Sequence, residues 1–326
     1  MKLTPAPFHH QSAQACASAR AFWVRADDGV RLRVGHLSEG PEGTVLLVPG
    51  RTEYLEKYGA AAREFSARGY GVVALDYRGQ GLADRLLPDA AIGHVDRFSD
   101  YQYDTRALVA VAEQLDLPRP WYALGHSLGG AILLRSLTRG LPVSAAVFSS
   151  PMWRINMAGI LYPVAWVLGW IAHATRMNWW VTPGTSRQTY VRAADPEDNL
   201  LTGDPEMLAY MRGHLDAVDG LDLGGPSVPW LFRAMVECRD LARIRALPVP
   251  SLTFVPSSDA IVRVDAMVRL AGSWPDARLS VIEGGRHETM METPARRRRF
   301  FDETAAFFAE HARTGPAAMP APSGPH

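Results

Sequence analysis

With 326 residues, 47% of them hydrophobic and 21% charged, the chain has the make-up of an ordinary globular protein, long enough for one large domain carrying an insertion. Its 34 basic and 34 acidic residues cancel to a formal net charge of zero, which leaves no nucleic-acid footprint. The two cysteines, Cys16 and Cys238, are too few for a disulfide framework, so no oxidising compartment is required.

Residues 1–20 hold a lysine and then His9, His10, Gln11 and Gln14, where a signal peptide would need an unbroken apolar run. The expectation is a flexible N-terminal segment on a cytoplasmic protein. Residues 22–25 and 31–37, separated by Asp27-Asp28-Gly29, read as a hairpin with an Asp-Gly turn. A short apolar strand follows at 44–48, ending in Pro49-Gly50, then an Ala-rich helix over 57–68 stopped by Gly69, then a buried strand at 70–75. Residues 98–115 have helical periodicity, 121–124 read as a strand and 131–137 as a buried helix. Alternating short apolar strands and helices imply an α/β protein with a mostly parallel central sheet flanked by helices. The rhythm resumes with strands at 250–255 and 278–283 and helices at 264–271 and 294–310. Between them tryptophan, glycine and proline accumulate, so residues 151–239 are read as an insertion between a first part (21–150) and a second part (240–312) of one sheet domain. The Pro-, Ala- and Gly-rich stretch 313–326 cannot bury a core and reads as a disordered tail.

Gly125-His-Ser-Leu-Gly129 sits between the strand at 121–124 and the helix at 131–137. Strand, tight turn and helix are the setting that a Gly-x-Ser-x-Gly nucleophile elbow requires, and glycines on either side of Ser127 give room where strand and helix nearly touch. The competing reading, a Gly-rich nucleotide loop, lacks the lysine of a phosphate loop and the spacing of a dinucleotide fingerprint. A serine hydroxyl needs a base, and the base an orienting acid. Asp259, just beyond the strand ending at 255, and His287, just beyond the strand ending near 283, supply them in the order Ser, Asp, His. Loops after the carboxyl ends of parallel strands gather on one edge, where the three would meet. Asp265 and Asp276 compete as the acid, and Asp259 also reads as a helix cap. Among the other histidines, His36 and His94 precede the nucleophile, His173 and His214 fall in the insertion, and His126 occupies the variable position of the elbow. The oxyanion donors are expected to be the backbone N–H of Leu128 and that of Arg51, in the loop after the first central strand.

Val48-Pro-Gly-Arg-Thr-Glu-Tyr-Leu-Glu-Lys-Tyr58, Asp76-Tyr-Arg-Gly-Gln-Gly81, the elbow, and Gly285-Arg-His-Glu288 occur together and in order. In this combination the chain resembles the α/β-hydrolase superfamily, and more narrowly the bacterial lysophospholipase L2 and monoacylglycerol lipase group. Asn199-Leu-Leu-Thr202 and Leu223-Gly-Gly-Pro-Ser-Val-Pro-Trp230 are similar to the lysophospholipase L2 branch. The resemblance covers about residues 22–310. It implies an α/β-hydrolase fold whose insertion is a mainly helical cap, with Ser127 as nucleophile, His287 as base, Asp259 as acid, and Arg51 and Leu128 as oxyanion donors. Two departures stand out: Ala83, where many relatives carry serine, and Pro49, where lipases of the group often carry histidine.

The cap is expected to shape the substrate pocket, with Trp166, Trp170 and Trp230 as lining residues. Residues 157–174 form an almost uncharged run of a length near the lower limit for a membrane span. One crossing there would leave Ser127 on one side of the membrane and Asp259 with His287 on the other. The run is read instead as a cap segment that lines an acyl tunnel, lies at a membrane interface, or is simply buried. The basic run 296–299 reads as a solvated face, with an anionic-membrane contact as the sharper alternative. Arg154, Arg187 and Arg192 are candidates to bind a phosphate. The expected activity is cleavage of a small lipid ester, a lysophospholipid or monoacylglycerol, through an acyl-enzyme, with no metal or cofactor and with peripheral contact on the inner face of the membrane. A short-chain carboxylesterase or thioesterase, and a non-catalytic lipid-binding protein, are the alternatives. Oligomeric state is not legible.

Overall fold

The structure, a computed structural model, describes residues 1–175 and 177–312; the tail expected to be disordered at 313–326 lies outside the described residues. The elements run β1 (Thr4–Ala6), α1 (His10–Ala13), β2 (Arg20–Arg25), β3 (Arg31–Ser38), β4 (Thr44–Val48), α2 (Gly59–Ser66), β5 (Gly71–Asp76), α3 (Tyr101–Gln114), β6 (Trp121–His126), α4 (Leu128–Leu137) and β7 (Ala145–Ser149). After these come α5 (Leu161–Ala174), α6 (Tyr190–Ala193), α7 (Pro205–Ala217), α8 (Val228–Leu241), β8 (Ser251–Pro256), α9 (Val264–Ala271), β9 (Ala277–Ile282) and α10 (Pro294–Glu310).

Among the described residues the nine strands form one sheet in the order β1-β2-β3-β5-β4-β6-β7-β8-β9. The expected hairpin is β2 against β3, antiparallel, and β3 runs antiparallel to β5; from β5 to β9 every pairing is parallel. Period-two alternation decides which side each apolar residue fills. Leu46, Val48, Val73, Leu75, Ala123 and Phe148 belong to one core cluster with α3, α4, α8 and α9. Val45, Leu47, Val72, Ala74, Leu124 and Val147 belong to the other, with α2, α7 and α10. A parallel sheet buried on both faces explains why β4 to β8 read as apolar runs rather than as alternating strands.

Two expectations change. The N-terminal segment is built into the fold: β1 extends the sheet by pairing Thr4–Ala6 with residues 21–23, and Ala13 is fully buried with its carbonyl accepting from Tyr210 Oη at 2.8 Å. The sequence hid this, because the contacts that bury residues 12 and 13 come from α7, about two hundred residues away. The insertion is helical as expected, but α8 at its end is part of the core, since Trp230, Ala234, Cys238 and Leu241 pack in the same cluster as α4. Strand β7 opens on two alanines, which have little strand propensity; its burial between β6 and β8 forms it.

Candidate active site

Ser127 follows the last residue of β6 and immediately precedes α4, with φ 50° and ψ −117°. A side chain in that region carries strain of order 1–3 kcal/mol, which persists only where surroundings over-determine it. Here they do. The Ser127 N–H donates to the Ser149 carbonyl at 3.0 Å, and its own carbonyl accepts from Gly130 at 2.9 Å and from Met152 at 2.8 Å. The glycines are needed for close approach: a Cβ on Gly129 would lie 2.0 Å from the Val48 carbonyl oxygen, and one on Gly125 would lie 2.7 Å from that of Gly129.

The structure brings the three expected residues together. His287 Nε2 lies 2.9 Å from Ser127 Oγ, and His287 Nδ1 lies 2.7 Å from Asp259 Oδ2. The other Asp259 oxygen accepts from the N–H groups of Ile261 and Val262 at 2.8 and 3.0 Å. One carboxylate therefore folds its own loop with one oxygen and orients the imidazole with the other, so Asp259 is placed as the acid would be and is not a helix cap. The helix that follows, α9, has Arg263 at its N-cap position, with no side-chain cap. Asp265 pairs on the surface with Arg263 and Arg269 and takes no part. The His287 carbonyl accepts from Ser150 Oγ at 2.6 Å, tying this loop to the end of β7. With a proton on Nδ1 facing the carboxylate, Nε2 is left to accept the Ser127 proton.

Behind the triad lies a buried charge cluster whose members the sequence displayed without revealing their roles. Lys57 Nζ lies 2.5 Å from Glu53 Oε1 and 2.7 Å from Glu288 Oε1. His126 Nε2 lies 3.4 and 3.3 Å from the same two carboxylates, and its Nδ1 lies 3.1 Å from the Ser149 carbonyl. Burial disfavours the Lys57 ammonium and the His126 imidazolium, but Glu288 and Glu53 outweigh it and raise both above their ordinary values. Burial likewise works against the Glu288 carboxylate, and Lys57 and His126 hold it well below the usual range. Glu53, His126 and Glu288 are close enough together to ligate a metal ion, but the Lys57 ammonium already supplies positive charge between the two carboxylates. The signals available in sequence were the i,i+4 pair Glu53 and Lys57, and Glu288 directly after the base.

This cluster shapes the loop that carries Arg51. The Gly50 N–H and the Tyr58 hydroxyl both donate to Glu53 Oε2, and Gln80 Nε2 donates to the Gly50 carbonyl at 2.7 Å and to that of Glu53 at 3.2 Å. Gln80 and Glu53 thus support the loop that carries Pro49 where relatives often have histidine. Among the described residues, the backbone N–H groups of Arg51 and Leu128 donate to no protein acceptor, and Leu128 opens α4, whose positive dipole end faces Ser127.

Ser127 and His287 open into a cavity of about 550 Å³ roofed by the insertion, with Met152, Ile155, Leu161, Leu201, Met211 and Trp230 among its apolar walls. The three tryptophans separate. Trp230 lines this cavity, its Nε1 held by Tyr101 Oη at 3.0 Å. Trp166 instead lines a different cavity of about 530 Å³ among α5, α8 and α9, and Trp170 is 61% exposed on α5. Both follow from the packing of α5 along α8: Trp166 lies against Phe232 of α8, and Trp170 is on the outward face. The arginines expected at a phosphate also fall elsewhere, with Arg154 in the second cavity, Arg187 paired with Asp89, and Arg192 paired with Asp216 and Asp222.

Three comparisons bear on this arrangement. The family described as Serine aminopeptidase, S33 (Hydrolase_4) matches residues 39–294. The chain is 31% identical to lysophospholipase L2 of Escherichia coli (strain K12) over 316 residues, 89% of either chain. It is 32% identical to a monoacylglycerol lipase of Mycolicibacterium smegmatis over 165 residues, 49% of this chain and 57% of the other. A solved structure of a soluble variant of monoglyceride lipase from Saccharomyces cerevisiae, in complex with a substrate analog, has the same fold: TM-score 0.71 at 19% identity, covering 94% of this chain and 98% of that one. The chain belongs to the Serine aminopeptidase, S33 family within the α/β-hydrolase superfamily, with lysophospholipase L2 among its relatives.

Proposed function

We propose that the protein hydrolyses the carboxylic ester of a small lipid, a lysophospholipid in the first place and a monoacylglycerol in the second, through an acyl-enzyme. The observation that carries this is the unbroken hydrogen-bonded chain from Ser127 through His287 to Asp259, opening into an apolar cavity large enough for an acyl chain. The similarity to lysophospholipase L2 along most of both chains supports the lipid class.

In the proposed cycle the Ser127 proton passes to His287 Nε2 as Oγ attacks the ester carbonyl. The tetrahedral oxyanion is held by the N–H groups of Arg51 and Leu128, and Asp259 stabilises the imidazolium. Collapse expels the glycerol oxygen, which takes the proton from Nε2. Water then loses a proton to Nε2 and attacks the acyl carbonyl, and the second collapse releases the fatty acid and returns the proton to Ser127.

Among the described residues no helix is long and apolar enough to cross a membrane. An apolar surface on the insertion, comprising Ile160, Leu161, Val164, Val167, Trp170, Trp179 and Trp180, supports peripheral contact with the lipid surface from which substrate is drawn. The basic run lends less support, because Arg296 pairs with Glu292, Arg297 with Asp204 and Arg299 with Glu303 of the same chain.

The test is release of fatty acid from lysophosphatidylcholine, lysophosphatidylethanolamine, monoacylglycerol and p-nitrophenyl esters by wild type and Ser127→Ala. Turnover of the lysophospholipids that Ser127→Ala abolishes is the expected result. Activity confined to short synthetic esters would replace it with a carboxylesterase, and Ser127-independent activity would overturn the mechanism.

A further inference from the structure

Arg51 contributes more to the cavity than its backbone. Among the described residues it is the only arginine that lines the cavity holding Ser127, and its guanidinium has no carboxylate partner. It rests instead on aromatic and backbone groups. Cζ lies 5.4 Å from the centre of the Trp230 ring, Nη2 donates to the Gly224 carbonyl, and Tyr101 lies nearby. Nε is buried with no hydrogen-bond partner, and so is the hydroxyl oxygen of Thr182, another residue lining the same cavity. Burial lowers the Arg51 pKa to about 10, so the group stays charged at neutral pH. A desolvated cation without a counter-ion is costly, and Arg51 and Thr182, two residues of one cavity wall that each keep a polar atom without a partner, leave bonding capacity for an acceptor-rich anion. Lys57, the other cation on the cavity wall, is already neutralised by Glu53 and Glu288.

We propose that the Arg51 guanidinium, assisted by the Thr182 hydroxyl, binds the phosphodiester of a lysophospholipid headgroup and so selects phosphate-bearing esters over neutral ones. The proposal rests on the lipid-ester reading and deepens it. The spacing fits. In a lysophospholipid the phosphorus lies about six bonds, roughly 7 Å, from the acyl carbonyl carbon, and about six bonds also separate the backbone nitrogen of Arg51 from its own Cζ. A side chain of that length is long enough to reach from an oxyanion donor to the phosphate. Guanidinium suits the role because its forked donors match phosphate oxygens, while the single Gly224 contact leaves most of them unused.

The test uses the full chain and two lipids with the same acyl group, lysophosphatidylethanolamine and monoacylglycerol. The first readout is the ratio of their kcat/KM values in wild type, Arg51→Gln, Arg51→Lys and Thr182→Val. The expected result is a ratio at least tenfold lower in Arg51→Gln, a smaller fall in Arg51→Lys, and a fall of about threefold in Thr182→Val. A ratio within twofold of wild type in Arg51→Gln would overturn the proposal, whatever happens to either rate alone. The second readout is equilibrium binding of both lipids to Ser127→Ala with and without Arg51→Gln. It decides the role of Arg51 even if wild type turns over neither lipid, an outcome that would sink the hydrolase reading separately. Inorganic phosphate is the third probe: Arg51-dependent binding of it, with no preference for the lysophospholipid, would assign the site to free phosphate and overturn the headgroup proposal.

Discussion

Replacing Glu53 by glutamine should loosen the oxyanion loop and leave the triad in place. The Glu53 carboxylate is buried and accepts at once from the Gly50 N–H, the Tyr58 hydroxyl and Lys57 Nζ. Breaking a buried ion pair by removing one partner costs about 3–5 kcal/mol. Glutamine still offers one acceptor oxygen, and Lys57 keeps Glu288 at 2.7 Å, so the expected loss falls at or below the bottom of that range, about 2–3 kcal/mol. That corresponds to a fall in Tm of roughly 3–4 °C for a chain of this size. The catalytic loss has a different origin. Without the charged anchor on Gly50 the next residue, Arg51, no longer presents its N–H in one place. Loss of an oxyanion donor costs about 10²–10³ in kcat, and the remaining tie from Gln80 limits the loss here to about 10–100-fold. The assay pairs thermal unfolding with kcat and KM on a soluble p-nitrophenyl ester, and KM should stay within about threefold. A variant that loses stability but keeps kcat within twofold of wild type would refute the reasoning, since the cluster would then hold the fold without holding the oxyanion loop.

Three further outcomes are expected. Gly129→Ala forces a Cβ to 2.0 Å from the Val48 carbonyl oxygen and 2.5 Å from that of Pro49, and backbone cannot yield, so the variant should lose more than about 3 kcal/mol of stability in chemical denaturation. His214, buried with Nε2 2.8 Å from the Ser12 carbonyl, has its pKa lowered by burial to about 4. The unfolded chain therefore takes up a proton as pH falls below about 6.5 while the folded protein refuses it until about pH 4, so stability present above 6.5 is lost across that window, by about 3 kcal/mol. The fall in Tm between pH 7 and pH 4.5 should be smaller in His214→Asn than in wild type, and equal slopes would contradict this. Trp170→Asp, on the exposed face of α5, should weaken co-sedimentation with phospholipid vesicles about tenfold, and undiminished co-sedimentation would place the membrane contact elsewhere.

Local chemistry made much of the protein legible in its sequence. Strand β4 and helices α9 and α10 have the boundaries expected from apolar runs, Gly stops and Pro starts, because each is decided within one or two turns of chain. The elbow was legible for the same reason, since two glycines around a serine are a requirement of backbone geometry at one point. Asp259 and His287 were found by their places after strands, because a parallel sheet delivers every such loop to one edge. Tertiary structure decided the rest. Nothing in residues 1–20 shows that Ala13 is buried, as its partner Tyr210 comes from α7. Trp166, Trp170 and Trp230 look alike in sequence, yet only Trp230 lines the Ser127 cavity, because the packing of α5 on α8 determines which way each ring points. Glu53, Lys57, His126 and Glu288 come from three separate segments, and only the fold brings them together, where burial makes each charge depend on the others as partners.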